Sequence, residues 1–315
     1  MSKRSLSPMA LPNGNPSIAR FRSRRSQTKL PRRTFDGEGL CSSNSPCELI
    51  GGMRFSVDMK ALFTAGMPVF LHAIQVPKEL VTLVLAPHPD DFDEIGITMR
   101  SFRENGNPIY VAVVSSGASG VEDGFCSPPT REAKGETRER EQRRSCDFFG
   151  LPGSHLKFLR LEEDEAGHII DNDTNVERVR DHFLPIRPDI VFLPHGNDTN
   201  IDHQRTYAIF RRIASGAGYP ITAFLNRDPK TISMRHDVYT VFGEKDAEWK
   251  GQLLRFHESQ QQRNLNTRNL GLDERVLKVN RKTAQENLQK DMYAEVFELE
   301  FFGQDTSDRP VRVSE

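Results

Sequence analysis

The sequence predicts an α/β fold: a mostly parallel sheet flanked by helices, with a polar site at the carboxyl ends of its strands. Three observations predict it. Two stretches share one grammar, in which an apolar run meets a proline, then a polar loop, then helical spacing. The apolar runs are continuous rather than alternating, as in strands covered on both faces. Strand-like and helix-like segments alternate through the rest of the chain, which points to right-handed crossovers and a parallel sheet.

Taken in order, residues 1–52 have no core-forming pattern. Basic residues from Lys3 to Arg33 precede the first acidic one, Asp36, and Ser, Pro, Asn and Gly fill the gaps. Such a segment is expected to be disordered. Three readings stay open: a plain tail, an Arg- and Ser-rich targeting segment, or a true start at Met53. A single domain is expected over 53–302, with a frayed tail over 303–315. Met53–Leu80 reads as a short extended piece and a helix. The first grammatical stretch, Val81–Met99 (VTLVLAPHPDDFDEIGITM), gives strand one and a helix over Asp93–Phe102, closed by Asn105-Gly106-Asn107-Pro108. Ile109–Ser115 is strand two, and Ser116–Pro129 a Gly- and Ser-rich loop. Thr130–Phe149 is a charged helix stopped by Gly150, most of its charges forming a solvated face. Leu156–Leu161 is strand three, Glu162–Gly167 a solvated acidic loop and Asp173–Ile186 a helix. The second stretch, Asp189–Tyr207 (DIVFLPHGNDTNIDHQRTY), gives another strand, a polar loop and a helix over Gln204–Ala214. Ile221–Asn226 and Asp237–Phe242 read as strands, Lys245–Gln262 as a helix, Gln260–Asp273 as polar loop, Ala284–Leu288 as helix and Tyr293–Phe302 as a closing strand.

The two polar loops carry the chemistry. His88, Asp90 and Asp91 follow the first strand. An imidazole and a carboxylate suit a borderline cation such as Zn²⁺, and a second carboxylate can take a proton from metal-bound water. The tetrapeptide His88-Pro89-Asp90-Asp91 also fits a turn whose Asp caps the next helix. His195, Asn197, Asp198, Asn200, Asp202 and His203 follow the second strand. If both strands lie parallel in one sheet, both loops reach one edge, and His203 completes a metal site begun by His88 and Asp91.

Ala86-Pro87-His88-Pro89-Asp90-Asp91 and Asp198-Thr199-Asn200-Ile201-Asp202-His203 resemble the motifs of the LmbE-like (PIG-L) zinc-dependent de-N-acetylases. Arg138-x-x-Glu141 leading to Phe149-Gly150 is similar to that family's Arg-x-x-Glu helix, and Lys250 with Ser259-Gln260 to its Lys…Ser-Gln element. The resemblance covers roughly Val81 to Phe302. It implies a Rossmann-like fold, Zn²⁺ held by His88, Asp91 and His203, and Asp90 as general base. Asp202 and Asn200 join the catalytic group, Asp202 as a carboxylate orienting an imidazole. Arg138, Asp198 and His195 are read as substrate-side residues. The implied substrate is a small N-acetylated amino sugar or N-acetylglucosaminyl conjugate. Two departures stand out. Asn200 occupies the place of a family histidine, for which His195 is a candidate substitute. Phe92 replaces the glutamate after the HPDD motif.

Composition narrows the rest. Against 43 Lys and Arg stand 44 Asp and Glu, a net charge of -1, which argues against a general nucleic-acid binder. Cys41, Cys47, Cys126 and Cys146 form no CxxC pair, so neither a disulfide framework nor a cysteine zinc site is expected. The longest apolar stretch, Ala61–Val76, is short for a bilayer and holds Pro68 and His72. A cytoplasmic protein without a membrane span is expected. The ligand set alone also describes non-haem iron oxygenases, and Asn200 admits a metal-bearing sugar binder or scaffold that has lost activity.

Overall fold

The computed structural model describes residues 58–64, 68–288 and 291–303. The basic segment 1–52, the alternative start at Met53 and the tail after 303 lie outside the described residues. In chain order the elements are α1 (Met59–Thr64), β1 (Val69–Phe70), β2 (Thr82–Ala86), α2 (Asp91–Glu94), α3 (Gly96–Asn105), β3 (Ile109–Val113), α4 (Arg131–Phe149) and β4 (Leu156–Phe158). There follow α5 (Asp173–Ile186), β5 (Ile190–Pro194), α6 (Ile201–Ser215), β6 (Ile221–Asn226), β7 (Val238–Phe242), α7 (Glu244–Leu254), α8 (Glu258–Arg268), α9 (Leu272–Asn287) and β8 (Tyr293–Phe302).

The strands form one sheet in the order β1-β7-β8-β6-β5-β2-β3-β4. Neighbours are parallel except β8, which runs antiparallel to β6 and β7. From β2 the chain winds outward through β3 to β4. It returns on the other side of β2 as β5 and winds the opposite way to β6. Ligands of open α/β sheets bind at such a reversal, outside the carboxyl ends of the strands. The register Thr82↔Ile190 to Val84↔Phe192 brings the two polar loops out side by side.

Strand side chains alternate between faces, and here both faces are apolar. Val84, Ala86 and Phe192 pack with Met99, Phe102, Phe149 and Leu253 on one side. Leu83, Leu85, Val191 and Leu193 pack with Val176, Phe183, Phe210 and Ile213 on the other. That is why both runs read as continuous.

Several boundaries differ from the sequence expectation. The helix after β2 is two pieces, α2 and α3, broken at Ile95 (φ −111°, ψ 23°). The expected helix over Lys245–Gln262 is interrupted after Leu254, and α8 runs on to Arg268, through residues read as loop. The inward residues of α8, Ser259, Gln260 and Asn264, are polar, so no apolar period betrays the helix. Strand three loses regular pairing after Phe158, although the Leu159 and Leu161 N–H groups still donate to Val113 and Val114. The last helix begins at Leu272 rather than Ala284.

Candidate metal centre

The turn from β2 into α2 is tight. The His88 N–H donates to Asp91 Oδ2 at 2.7 Å, and His88 Nδ1 lies 3.2 Å from the same oxygen. From the loop after β5, α6 starts with Asn200 as its cap, its side-chain oxygen accepting the Asp202 N–H at 3.1 Å. This fixes the first turn and points His203 inward, where its Nε2 sits 3.6 Å from Asp91 Oδ1. One donor atom from each of His88, Asp91 and His203 falls within 4.8 Å of the other two. A tetrahedral ion with bonds of about 2.0–2.1 Å sets its ligand atoms about 3.3–3.4 Å apart. His88 approaches one Asp91 oxygen at 3.2 Å and His203 the other at 3.6 Å, and two imidazoles and a carboxylate gathered this closely suit a small divalent cation.

A neighbouring carboxylate stands beside each ring. His88 Nε2 lies 3.2 Å from Asp202 Oδ2, which leaves Nδ1 toward Asp91. His203 Nδ1 lies 3.4 Å from Asp198 Oδ2. Burial opposes a charge on His88, but Asp202 and then Asp91 outweigh it and raise its pKa to about 10. Burial likewise opposes ionisation of Asp202, but His88 holds it down to about 2. Behind the ligands stand Glu94 and Asp228. Burial, and then the charge of Asp228, push the pKa of Glu94 well above its ordinary value.

Asp90 is held in an uncommon backbone conformation, φ 133°. Gln142 Oε1 accepts its N–H at 3.1 Å, and its carbonyl accepts the Asp93 and Glu94 N–H groups at 2.9 Å and 3.2 Å. Arg138 donates to Asp90 Oδ1 at 2.9 Å and to the Pro89 carbonyl. Asp90 Oδ2 is left without a hydrogen bond among the described residues. Strain of this kind costs about 1–3 kcal/mol and persists where surroundings enforce it, often at functional sites.

His88, Asp90, Asp91 and His203 line a cavity of about 170 Å³, together with Arg138 and Asn200. Asp198 and His195 are not among its lining residues. Asp198, expected on the substrate side, is buried behind His203, where its Oδ1 accepts the Asn200 N–H at 2.6 Å. His195 is turned away: its Nδ1 accepts the Asn197 N–H at 2.9 Å and its Nε2 lies 3.3 Å from Glu298.

The sequence reading missed several residues. His168, in the loop read as solvated and its flank, lines the cavity, with Nδ1 3.1 Å from Asp202 Oδ2. Glu163 accepts the Ser116 N–H at 2.8 Å. Beneath Asp90, the buried His257 meets Asp93 at 2.5 Å, and Ser145 and Gln142 donate to the same carboxylate oxygen. The inner face of α4 is polar, not solvated: Arg138, Glu141, Gln142 and Ser145 are buried. Their i, i+3, i+4, i+7 spacing was the available signal. Glu141 accepts the Ser259 N–H and Oγ–H, both at 2.7 Å, so the Arg-x-x-Glu and Ser-Gln elements meet. Phe92, where the resemblance expects glutamate, packs edge-on against Phe149.

Residues 83–214 match the family model described as PIG-L: GlcNAc-PI de-N-acetylase. Residues 83–214 thus resemble a PIG-L (LmbE-like) domain, and the architecture above agrees with that likeness. No curated protein matches the sequence. Among solved structures, N,N'-diacetylchitobiose deacetylase from Pyrococcus horikoshii aligns at 15% identity and TM-score 0.57, over 70% of this chain and 83% of that one. The A40926 pseudoaglycone deacetylase aligns at 17% identity and TM-score 0.54, over 71% and 98%. The 4-carboxy-2-hydroxymuconate hydratase of Pseudomonas putida KT2440 aligns at 17% identity and TM-score 0.52, over 70% and 95%. At these identities the likeness is one of fold. Among the described residues no helix is long and apolar enough to cross a membrane.

Proposed function

We propose that this chain is a zinc-dependent de-N-acetylase acting on an N-acetylated amino sugar or its conjugate. The observation that carries the reading is the meeting of His88, Asp91 and His203, with Asp90 beside them in one cavity. The family match over residues 83–214 supports it. Two imidazoles and one carboxylate suit zinc and leave a position open for catalysis.

His88, Asp91 and His203 would hold the cation. Bound there, it supplies a lowered pKa for water and polarisation of the amide carbonyl. Every other part belongs to the chain's own side chains. Arg138 fixes one oxygen of Asp90. The other oxygen is available to take the proton from the attacking water and return it to the departing amine nitrogen. Asp202 holds His88 and His168 at once, so its part is positioning. Asn200 acts as the cap of α6. His168 is the imidazole we assign to the place of the missing histidine, donating to the developing oxyanion or the leaving nitrogen. His168→Ala is expected to lower kcat by about tenfold or more, while His195→Ala leaves it unchanged. Equal rates in both variants would remove His168 from the mechanism.

The reading is tested by measuring free amine released from N-acetylglucosaminyl compounds alongside metal content. The purified protein is expected to hold about one zinc per chain, lost in His88→Ala and in His203→Ala. Unchanged metal in both variants would refute the ligand assignment.

A further inference from the structure

The lining of the cavity is of mixed charge. Beside the carboxylates and imidazoles described above, it includes Arg263 and Arg268 of α8, Arg275 of α9 and Lys230 from the β6–β7 connection. Among the described residues none of these four forms an ion pair with a carboxylate. Some arginines elsewhere are paired, Arg255 with Asp273 and Arg212 with Asp173. The chain as a whole is nearly neutral, so the cluster is not a by-product of general basicity.

The three guanidinium groups belong to the lining of one cavity. Partial burial, and then the charges of Arg275 and Arg263, lower the pKa of Arg268. Gathering like charges that form no ion pair of their own costs free energy that an anionic ligand would recover. The cluster also reaches the reacting end of the cavity. Arg263 and Arg138 both approach Gly120, and Arg138 holds Asp90. A Cβ on Gly120 would lie 3.0 Å from Arg138 Nη1 and 3.2 Å from Arg263 Nη1.

We propose that Arg263, Arg268 and Arg275 form a subsite for an oxyanion carried by the substrate, a phosphate or a carboxylate on the amino-sugar unit. Guanidinium forks match both groups in a bidentate manner. The subsite lies in residues after 214, outside the stretch that matches the family model. It is a selectivity element in the carboxyl-terminal half of the chain. The proposal rests on the deacetylase reading for the identity of the substrate, not for the existence of the subsite.

The test uses the full chain with its metal and two variants, Arg263→Gln/Arg275→Gln and the exposed Arg268→Gln. Amine release is measured from N-acetylglucosamine, N-acetylglucosamine 6-phosphate and N-acetylmuramic acid. At least one anionic compound is expected to exceed the neutral one by about tenfold or more in kcat/KM. That ratio should fall by about tenfold in the double variant and less in the single one, and added salt should weaken it. The compound that gains identifies phosphate or carboxylate as the group. A ratio near one in the wild type, or one untouched by both variants, overturns the proposal. Inorganic phosphate binding by calorimetry, at matched metal content, separates the two readings. If no compound releases amine but phosphate binds about tenfold more weakly to the double variant, the subsite stands and the deacetylase reading falls. Equal phosphate affinity in all three proteins overturns the subsite.

Discussion

Asp90→Asn is expected to lower kcat by about 10²–10⁴-fold while the bound metal is retained. The size is that of a general acid–base group in an enzyme that keeps the rest of its machinery. The substitution is chosen for its small disturbance. Asn retains an oxygen to accept from Arg138, which is buried. Asn also tolerates unusual backbone angles better than most residues, and position 90 sits at φ 133°. What Asn lacks is the capacity to take a proton. KM should change little, because Asp90 acts on the proton rather than on the sugar. Metal analysis and kinetics on one sample check the result. Full metal with full turnover would remove Asp90 from the mechanism. Full metal with no turnover in the wild type would favour the metal-bearing binder.

The contrast between what the sequence disclosed and what it hid follows from how each feature is written. His88, Asp90, Asp91 and His203 were legible because two local motifs end two apolar strands. The parallel pairing of β2 with β5 then does the rest. The sheet was legible for the same reason: apolar runs of strand length leave few alternatives, and Tyr293–Phe302 was recovered to the residue. Contacts between distant polar side chains were not legible. Asp93 and His257 are 164 residues apart, and no periodicity joins them. Helices α4 and α8 turn polar faces inward, so a reading that equates polar with solvated misplaces Glu141 and Ser259. His195 misled in the opposite way. It stands two residues after the apolar core of a motif strand, but its loop ties it to Asn197 and Glu298, leaving His168 to reach Asp202.

Lys250→Met is expected to destabilise the domain by about 3–5 kcal/mol, the usual consequence of removing one partner of a buried ion pair. Lys250 and Glu295 are both almost fully buried. The ammonium donates to Glu295 at 2.7 Å, to Asn280 at 2.8 Å and to the Glu94 carbonyl at the end of α2. Glu295 in turn accepts the Ile97 and Thr98 N–H groups, at 3.1 Å and 2.8 Å, in the first turn of α3. A carboxylate there satisfies free backbone donors and meets the positive end of the helix. One charge pair thus ties α7, α9 and β8 to α2 and to the start of α3. Methionine fills the space of the lysine stem, so little of the loss comes from a cavity. Most of it comes from leaving Glu295 charged without a partner. The pairing account makes a second demand. In Lys250→Met/Glu295→Gln the buried charge is gone, and Gln can still accept from the α3 N–H groups. That double variant should recover a large part of the lost stability. Thermal unfolding reads both, at roughly 2–4 °C for each kcal/mol in a domain of this size. If the double variant is as unstable as the sum of the single ones, the two residues act independently and the pair does not organise this junction. Because Lys250 also holds the end of α2, which opens with Asp91, the single variant should bind the metal more weakly below its melting transition. Recovery of metal affinity in the double variant would require a route other than Lys250, since the Glu94 carbonyl loses its donor in both.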